Sequence, residues 1–597
     1  MHQSGGNTLF WGAGVGRVNM ITQAQSKART DLVVAQTAEH RSRRTPPVSF
    51  LALTLLLPAI IVIGNCILGV LTPTTAGLED VPTLIDPVWR LVQGQHLGVD
   101  FHDPQGFGLF YVAAMLWRML GPQFYVLRAS ADLFALVIVL CGCVVATRQL
   151  RDAVGLAGLF CLTMAFIASG PSTYGDTHNF GIAECYNRLL MSALLILFVQ
   201  SFANDLDERS ERGYIDHFTA AFLLNTLFLI KISGLIVGLA IVVIGLITRG
   251  PLRRSLITIS LVLVLLAVMV TIDFVVTGTS LSSLIQEYRM AAQSRAAVIS
   301  PRDVIWFGLR WEMLGTLALL AVYADKEGYT KPFMRCLWII ACYWVCQVVL
   351  DMSNNGGPDA PVFLAPAAAV VVMTWTDQTA DAASFWDSLW KGFYPRRLKK
   401  IALRQMIPLL IIANILVPEL ISSLRALKIE YSISSGRMQV ITVAANKGIV
   451  FKILKGSRAD SGLVPYFTRA IHAIEDLGAT RETIANLDFM NPFPALLLSP
   501  SPKGVQVWWD FSYNVPIGYR PSWREVIGDA CIVTEPKNSP LSPASYSKPL
   551  IEAVESHLAI AFTLVYEDEL WKIWKYSGRC STTYSSKYSA WQQTVVG

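Results

Sequence analysis

Charge is what this 597-residue chain has least of: 15% of its residues are charged, and they balance to a formal +6. Soluble domains carry about a quarter charged residues. The shortage excludes a wholly soluble chain, and so small a positive excess gives no footing for a nucleic-acid role. Lysines and arginines on cytoplasmic loops account for it. Paired-cysteine motifs are also missing. None of the ten cysteines forms a CxxC pair, which leaves a redox or zinc motif unsupported. Seven of them (Cys66, Cys141, Cys143, Cys161, Cys336, Cys342, Cys346) lie in or beside apolar runs, where a cysteine is usually a small buried hydrophobe. There is no internal repeat and no low-complexity segment, so the inverted-repeat signature of many secondary transporters is absent. No cleavable signal peptide is evident. Residues 1–45 are polar and mildly basic and end in "RSRRTPP", too long and too late for a signal n-region.

What the chain has is apolar length. It is 53% hydrophobic, with a mean hydropathy of +0.45. A span needs about 20 apolar residues, so this composition predicts a polytopic helical bundle with some soluble mass attached. The first apolar run, 48–71, has a basic flank that keeps the N-terminal tail, 1–47, cytoplasmic and sends the following loop outside. "LFALVIVLCGCVVAT" then runs into the basic "RQLRD", which belongs inside. The stretch 106–121, "GFGLFYVAAMLWRMLG", therefore reads as a juxtamembrane helix on the outer face, with Arg118 snorkelling. From there, alternation of basic inner loops gives about eleven spans. Residues 217–247 are too long for one helix and break at "KISG", two spans meeting at the outer face. The transmembrane part is expected over 48–421, with a first outer loop at 72–121.

Residues 422–597 change in composition. Helix-like "FTRAIHAIEDLG" and "YSKPLIEAVESHLAI" alternate with strand-like "RMQVITVAA", "ALLLS" and "ACIVT", which predicts an extracytoplasmic C-terminal α/β domain. An oxidising compartment would permit a disulfide between Cys531 and Cys580 there.

The chemistry-bearing residues gather just after the first span. Residues 74–106 hold Glu79, Asp80, Asp86, Asp100 and Asp103, with His96, His102 and Trp89. Asp86 before Pro87 has the pattern of a helix N-cap, which explains that residue without chemistry. Glu79 and Asp80 sit one short step from the membrane surface. A carboxylate there can act as a general base if it stays ionised and is fixed near an acceptor hydroxyl.

The order of these parts resembles the GT-C superfamily of membrane glycosyltransferases, in the branch of protein O-mannosyltransferases and aminoarabinose transferases. An acidic pair, here Glu79-Asp80, opens the first outer loop. Asp80 lies fourteen residues and Asp86 eight residues before Gly94, matching an amphipathic helix that ends in a small residue. "DFHDPQGFGLFYVAAMLWRMLG" resembles the following turn and juxtamembrane helix, with His102-Asp103-Pro104 where the family has His-Pro-Pro. "LIKISGLIVGLAI" resembles the broken-helix segment, with its lysine before a small residue. The resemblance covers roughly residues 48–375, through short motifs held in order. It implies a transferase that takes a sugar from a polyprenyl-phosphate donor and inverts configuration by direct displacement, acting on a cell-envelope glycan, lipid or protein. Asp80 is the implied base, with Glu79 the alternative. Lys231 and Arg289 are the candidates for the donor phosphate. A lysine in an apolar stretch is costly enough to suggest function, although snorkelling is the plain alternative. Asp86, Asp100, His102 and Asp103 would orient the acceptor or hold a divalent cation (Mg, Mn or Ca), which some families with this fold require.

Other loops offer Asp176, His178, Glu184 and Asn187, and Asn354, Asn355 and Asp359, as pocket candidates. Trp508, Trp509 and Asp510 could form a glycan platform, although aromatics in a half-buried strand are more often core. Two other functions compete. A flippase or transporter of a lipid-linked glycan would want ionisable residues deep in its spans, whereas most spans here read as clean. A non-catalytic envelope assembly protein would have no need of the acidic loop. The expected location is a bacterial inner membrane.

Overall fold

In this computed structural model the described residues are 51–72, 80–171, 184–203, 214–298, 330–353, 364–376, 402–443 and 451–580, apart from short stretches within those ranges. The chain divides into two units, Met1–Ala52 and Leu53–Gly597, and the helices and strands numbered here all belong to the second. The N-terminal tail, Glu79, Asp176, His178, Asn354, Asn355 and Asp359 lie outside the described residues. So do the side chains of Asp80 and Glu184.

The fold is mainly helical. In chain order it begins with α1 (Leu57–Leu71), α2 (Asp80–Val92), the two-residue strand β1 (Phe101–His102), α3 (Gly108–Leu120), α4 (Tyr125–Gln149), α5 (Val154–Ser169), α6 (Glu184–Phe202), α7 (Tyr214–Ile230) and α8 (Ile232–Arg249). It continues through α9 (Leu252–Thr277), α10 (Leu281–Val298), α11 (Thr330–Ser353), α12 (Ala365–Thr376) and α13 (Ala402–Ser434). Among the described residues, five helices are long and apolar enough to cross a membrane: Ala52–Leu71, Tyr125–Gln149, Cys185–Phe202, Ser255–Thr277 and Leu409–Ser434. Shorter apolar helices accompany them, including Gly108–Leu120, Val154–Ser169 and Tyr214–Ile230. The 13 residues of α3 extend about 20 Å at 1.5 Å per residue, short of a hydrocarbon layer of about 30 Å.

Burial separates lipid-facing from central helices. Ile60, Ile63 and Ile67 form an exposed stripe on α1, and Val264, Val268, Ile272 and Val275 form another on α9. Such stripes suit a hydrocarbon solvent. Helix α6 is the centre, buried along Leu189–Val199 and surrounded by α4, α5, α7, α8 and α12. The spans are less clean than the sequence suggests. Arg128 pairs with Asp132 at 3.0 Å on α4, and Arg188 of α6 pairs with Glu419 of α13 at 2.8 Å, all four side chains buried. Each charge in this apolar interior is neutralised by its partner. Arg128 also donates to the carbonyls of Ser169, at 2.6 Å, and Gly170, at 3.3 Å, closing the C-terminal end of α5.

Helices α7 and α8 meet at one non-helical residue, Lys231, as the sequence predicts. They fold back on each other as a hairpin. A Cβ added at Gly234 would approach Leu227, and one at Gly238 would approach Leu227 and Leu224, so glycines at these positions allow the close packing.

The C-terminal segment holds β2 (Val440–Val443), β3 (Phe451–Leu454), α14 (Arg458–Asp476), β4 (Ile484–Asn486), α15 (Phe493–Leu497) and β5 (Val505–Gln506). After these come α16 (Trp523–Ile527), β6 (Ile532–Pro536), α17 (Ala544–Ala561), β7 (Phe562–Glu567) and β8 (Trp571–Tyr576). Strands β2 and β3 pair antiparallel. A four-stranded sheet runs β4-β6-β8-β7, with β4 and β6 parallel and the other pairs antiparallel. Its core joins Leu487, Trp509, Val526, Val533, Leu550, Val554 and Leu558. Cys531 and Cys580 are bonded. "ALLLS" is not a strand. Pro492 and Pro494 set up a helix start, and Leu498, with φ 51°, ends α15.

Candidate functional site

Helix α2 carries the acidic start of the loop that follows α1. Val81, Leu84, Ile85, Val88, Trp89, Leu91 and Val92 recur at helical spacing, and all are buried. The helix begins at Asp80, ahead of the start at Pro87 that the Asp86-Pro87 pattern suggests, and Pro87 lies inside it. The apolar periodicity from Val81 onward outweighs the one backbone hydrogen bond that Pro87 forgoes. At the other end Arg118 of α3 donates to the carbonyls of Leu91, at 2.6 Å, and Val92, at 3.3 Å. Arg118 thus caps α2 rather than only snorkelling.

The first loop is clamped to the C-terminal segment. Strand β1 pairs in parallel with β5, Phe101 beside Val505 and His102 beside Gln506. The Trp89 indole donates to the carbonyl of Ser499 at 2.8 Å, Gln93 to the same carbonyl at 2.8 Å, and Gln95 to that of Ser501 at 2.8 Å. Arg90 reaches the carbonyl of Pro502 and holds Asp86 at 3.0 Å, both side chains fully buried. Asp86 is therefore enclosed by its own helix and the 499–502 loop. Burial pushes its carboxyl up, and Arg90 opposes that rise. Asp100 accepts from Lys503 Nζ at 3.0 Å and from the His96 amide at 2.9 Å.

The loop is also seated on the tip of the α7–α8 hairpin. A Cβ at Gly106 would run into the carbonyl of Ile230, the residue before Lys231, so only glycine lets the two backbones approach this closely. Beside it, Phe107 packs edge-on against Phe228 at 5.7 Å and leans on Phe274 at 6.1 Å. Lys231 is buried, with its ammonium 5.6 Å from the centre of the Tyr186 ring.

Helix α10 supplies a residue that local sequence reading passes over. Glu287 is buried, and both its oxygens hold β1 and the turn after it. Oε1 meets His102 Nδ1 at 2.9 Å, and Oε2 accepts the Asp103 amide at 3.0 Å. The hydrogen bond to Glu287 raises the imidazole pKa above its usual value. Burial raises the carboxyl of Glu287, against the pull of His102. Asp103 accepts the Trp508 indole N–H at 3.3 Å. Trp508 and Trp509 are buried, as core residues rather than an exposed platform. Arg289 is exposed on α10, two residues from Glu287 and so on a different helix face. Nothing in the local pattern of α10 marks Glu287 as a site residue. Its partner lies 185 residues away.

The structure thus brings His102, Asp103 and the Lys231 tip to one end of the bundle, and encloses Asp86. Only Glu482, Cys531 and Cys580 bring three possible metal-ligand atoms within 4.8 Å among the described residues, and both cysteines are spent in the disulfide. The first-loop candidates Asp86, Asp100, His102 and Asp103 form no such set among the described side chains.

Apolar helices with lipid-facing stripes, and polar chemistry gathered at one end, define an integral membrane protein. No family model matches the chain, and no curated protein matches it. Among solved structures the chain is similar to ArnT from Cupriavidus metallidurans bound to undecaprenyl phosphate. The identity is 13%, over 88% of this chain and 98% of that one, with a TM-score of 0.37. It is similar to ArnT of the same organism in the apo state at 12% identity, over 87% of this chain and 97% of that one, with a TM-score of 0.35. At such low identity the function of this chain has to be argued from its own residues.

Proposed function

We propose that this protein is an inverting glycosyltransferase that moves a sugar from a polyprenyl-phosphate donor to a hydroxyl of a cell-envelope acceptor at the outer face of a bacterial inner membrane. One observation carries the reading: the loop after the acidic helix α2 is seated on the helix break that holds Lys231, so a carboxylate-bearing segment and a buried cation belong to one assembly. Asp80, with Glu79 as the alternative, takes the proton of the acceptor hydroxyl as its oxygen attacks the anomeric carbon. The bond from that carbon to the phosphate oxygen breaks, and the phosphate leaves with the electron pair, its charge met by the Lys231 ammonium. The donor's lipid tail remains in the membrane beside the apolar helices. The disulfide and the clamp between first loop and C-terminal segment support an outer location for both.

The deciding experiment follows transfer from polyprenyl-phosphate sugars by the full chain in lipid nanodiscs, beside donor binding on the same samples. Asp80→Asn should slow transfer by about 10²–10⁴, the usual loss for a general base, and leave donor binding nearly unchanged. Lys231→Ala should weaken donor binding as well. Near-normal turnover by Asp80→Asn, with Glu79→Gln also active, would overturn the assignment.

A transporter of a lipid-linked glycan is the second reading, favoured by the charges buried in α4, α6 and α13. Those charges form closed pairs rather than a path, which supports a packing role. Uptake of labelled lipid-linked glycan into vesicles without any transfer product would favour the transporter.

A further inference from the structure

Three distant stretches meet at His102 and Asp103: strand β1, which carries His102, helix α10 through Glu287, and the C-terminal segment through β5 beside His102 and Trp508 on Asp103. Glu287 spends both carboxylate oxygens there, one on the ring and one on the next backbone amide. The imidazole is therefore fixed in orientation by its Nδ1 side, and its Nε2 edge makes no hydrogen bond among the described residues. The ring is not sealed in the core: 36% of the side chain is exposed, whereas Glu287 is only 4% exposed. A carboxylate that orients one ring nitrogen leaves the other as the working atom.

The surroundings select what that atom can meet. Among the described residues two carboxylates, Glu287 and Glu525, act electrostatically on the imidazole. Glu525 stays ionised despite partial burial, because it accepts the Ser522 amide at 2.7 Å, the Tyr519 hydroxyl at 2.8 Å and the Ser522 hydroxyl at 2.8 Å. A phosphate or carboxylate brought to Nε2 would add a further negative charge beside a ring already under the influence of two carboxylates, which repel it. A hydroxyl meets no such penalty. It can donate to a neutral imidazole or accept from a protonated one, so it fits in either protonation state.

We propose that His102, held by Glu287, is the hydrogen-bonding head of the acceptor subsite, and that the acceptor presents an uncharged hydroxyl there rather than a phosphate or carboxylate. The proposal rests on the glycosyl-transfer reading and names the chemistry of its acceptor. His102 touches substrate; Glu287 is a positioning residue that acts through His102.

The test uses the full chain in nanodiscs free of glycoside detergent, with a panel of polyprenyl-phosphate hexoses and pentoses as donors. Hexyl glucoside and hexyl glucoside 6-phosphate serve as paired acceptor probes. Two products are counted: sugar passed to the glycoside and sugar released to water. The wild type should prefer the neutral probe by tenfold or more. His102→Ala should lower the ratio of transferred to water-released sugar at least tenfold with that probe. His102→Gln, whose amide reaches the place of Nε2, should recover part of the transfer. Glu287→Gln should raise the KM for hexyl glucoside with little change in donor hydrolysis, a split that a loss of folding would not give. Preference for the phosphorylated probe would overturn the proposal, as would an unchanged product ratio in His102→Ala. So would donor hydrolysis by the wild type with transfer to neither glycoside. Absence of any donor consumption by the wild type would instead overturn the glycosyl-transfer reading beneath it.

Discussion

Gly106→Ala tests whether the seating of the first loop on the Lys231 hairpin matters. The added Cβ would meet three backbone atoms, the carbonyl carbon and oxygen of Ile230 and the carbonyl oxygen of Leu229, the last at 2.5 Å. Ordinary contact for a Cβ begins at about 3.4 Å. No side-chain rotation relieves a clash with backbone, so the loop and the hairpin tip must separate by about 1 Å or more. Overpacking of this kind costs about 1–3 kcal/mol. A shift of about 1 Å in positioned groups can cost about 10²-fold in rate. The expected result is a folded protein with a lower melting temperature and about 10²-fold slower transfer from polyprenyl-phosphate sugar. Gly64→Ala is the control, because a Cβ there meets nothing within 4 Å. Melting followed by tryptophan fluorescence and transfer in nanodiscs are measured on the same samples. Wild-type melting and turnover in Gly106→Ala would refute the argument that this contact places the loop.

Glu419→Gln should destabilise the bundle by about 3–5 kcal/mol, because it leaves Arg188 charged and unpaired in an apolar interior. The pair Arg188→Met with Glu419→Leu should regain most of the loss, as read by thermal unfolding. Asp568, in the turn between β7 and β8, gives a pH dependence. Burial pushes its carboxyl up, but the Trp571 amide at 2.7 Å, the Tyr566 hydroxyl at 2.8 Å and the Leu570 amide at 2.8 Å bring it below the usual value. Its contribution to stability is in full above the ordinary aspartate value of about 3.9 and is lost as the pH falls through the lowered folded value. Asp568→Asn should flatten that acid limb in a plot of melting temperature against pH. An unchanged limb would remove Asp568 from the account.

Several features could be read from the sequence alone because they are local. The apolar runs announce the membrane helices, and the lysine and small residues in "KISG" announce the break at Lys231. The helical period of "FTRAIHAIEDLG" and the β-rich "ACIVT" are likewise written into neighbouring residues and return as α14 and β6. Local reading failed where a second signal competed with the first. Asp86-Pro87 has the form of a helix start, yet the apolar period of α2 begins earlier. "ALLLS" has strand composition, yet two prolines turn it into α15.

The candidate site divides along the same line. Its acids and histidine stand out by type and by nearness to the first span, and its lysine by lying in an apolar run. Their partners do not. Glu287 meets His102 across 185 residues, and Trp508 meets Asp103 across 405. The two-residue strands β1 and β5 are too short to leave a periodic pattern at all. Tertiary structure alone enclosed the Asp86–Arg90 pair beneath the 499–502 loop, oriented His102 and brought the first loop onto the Lys231 tip. Helix and span are specified by interactions within a few residues, which repeat along the chain and can be counted. Glu287 finds its partner only after distant segments have packed, and the energy of that pairing depends on a burial that no single stretch of sequence contains.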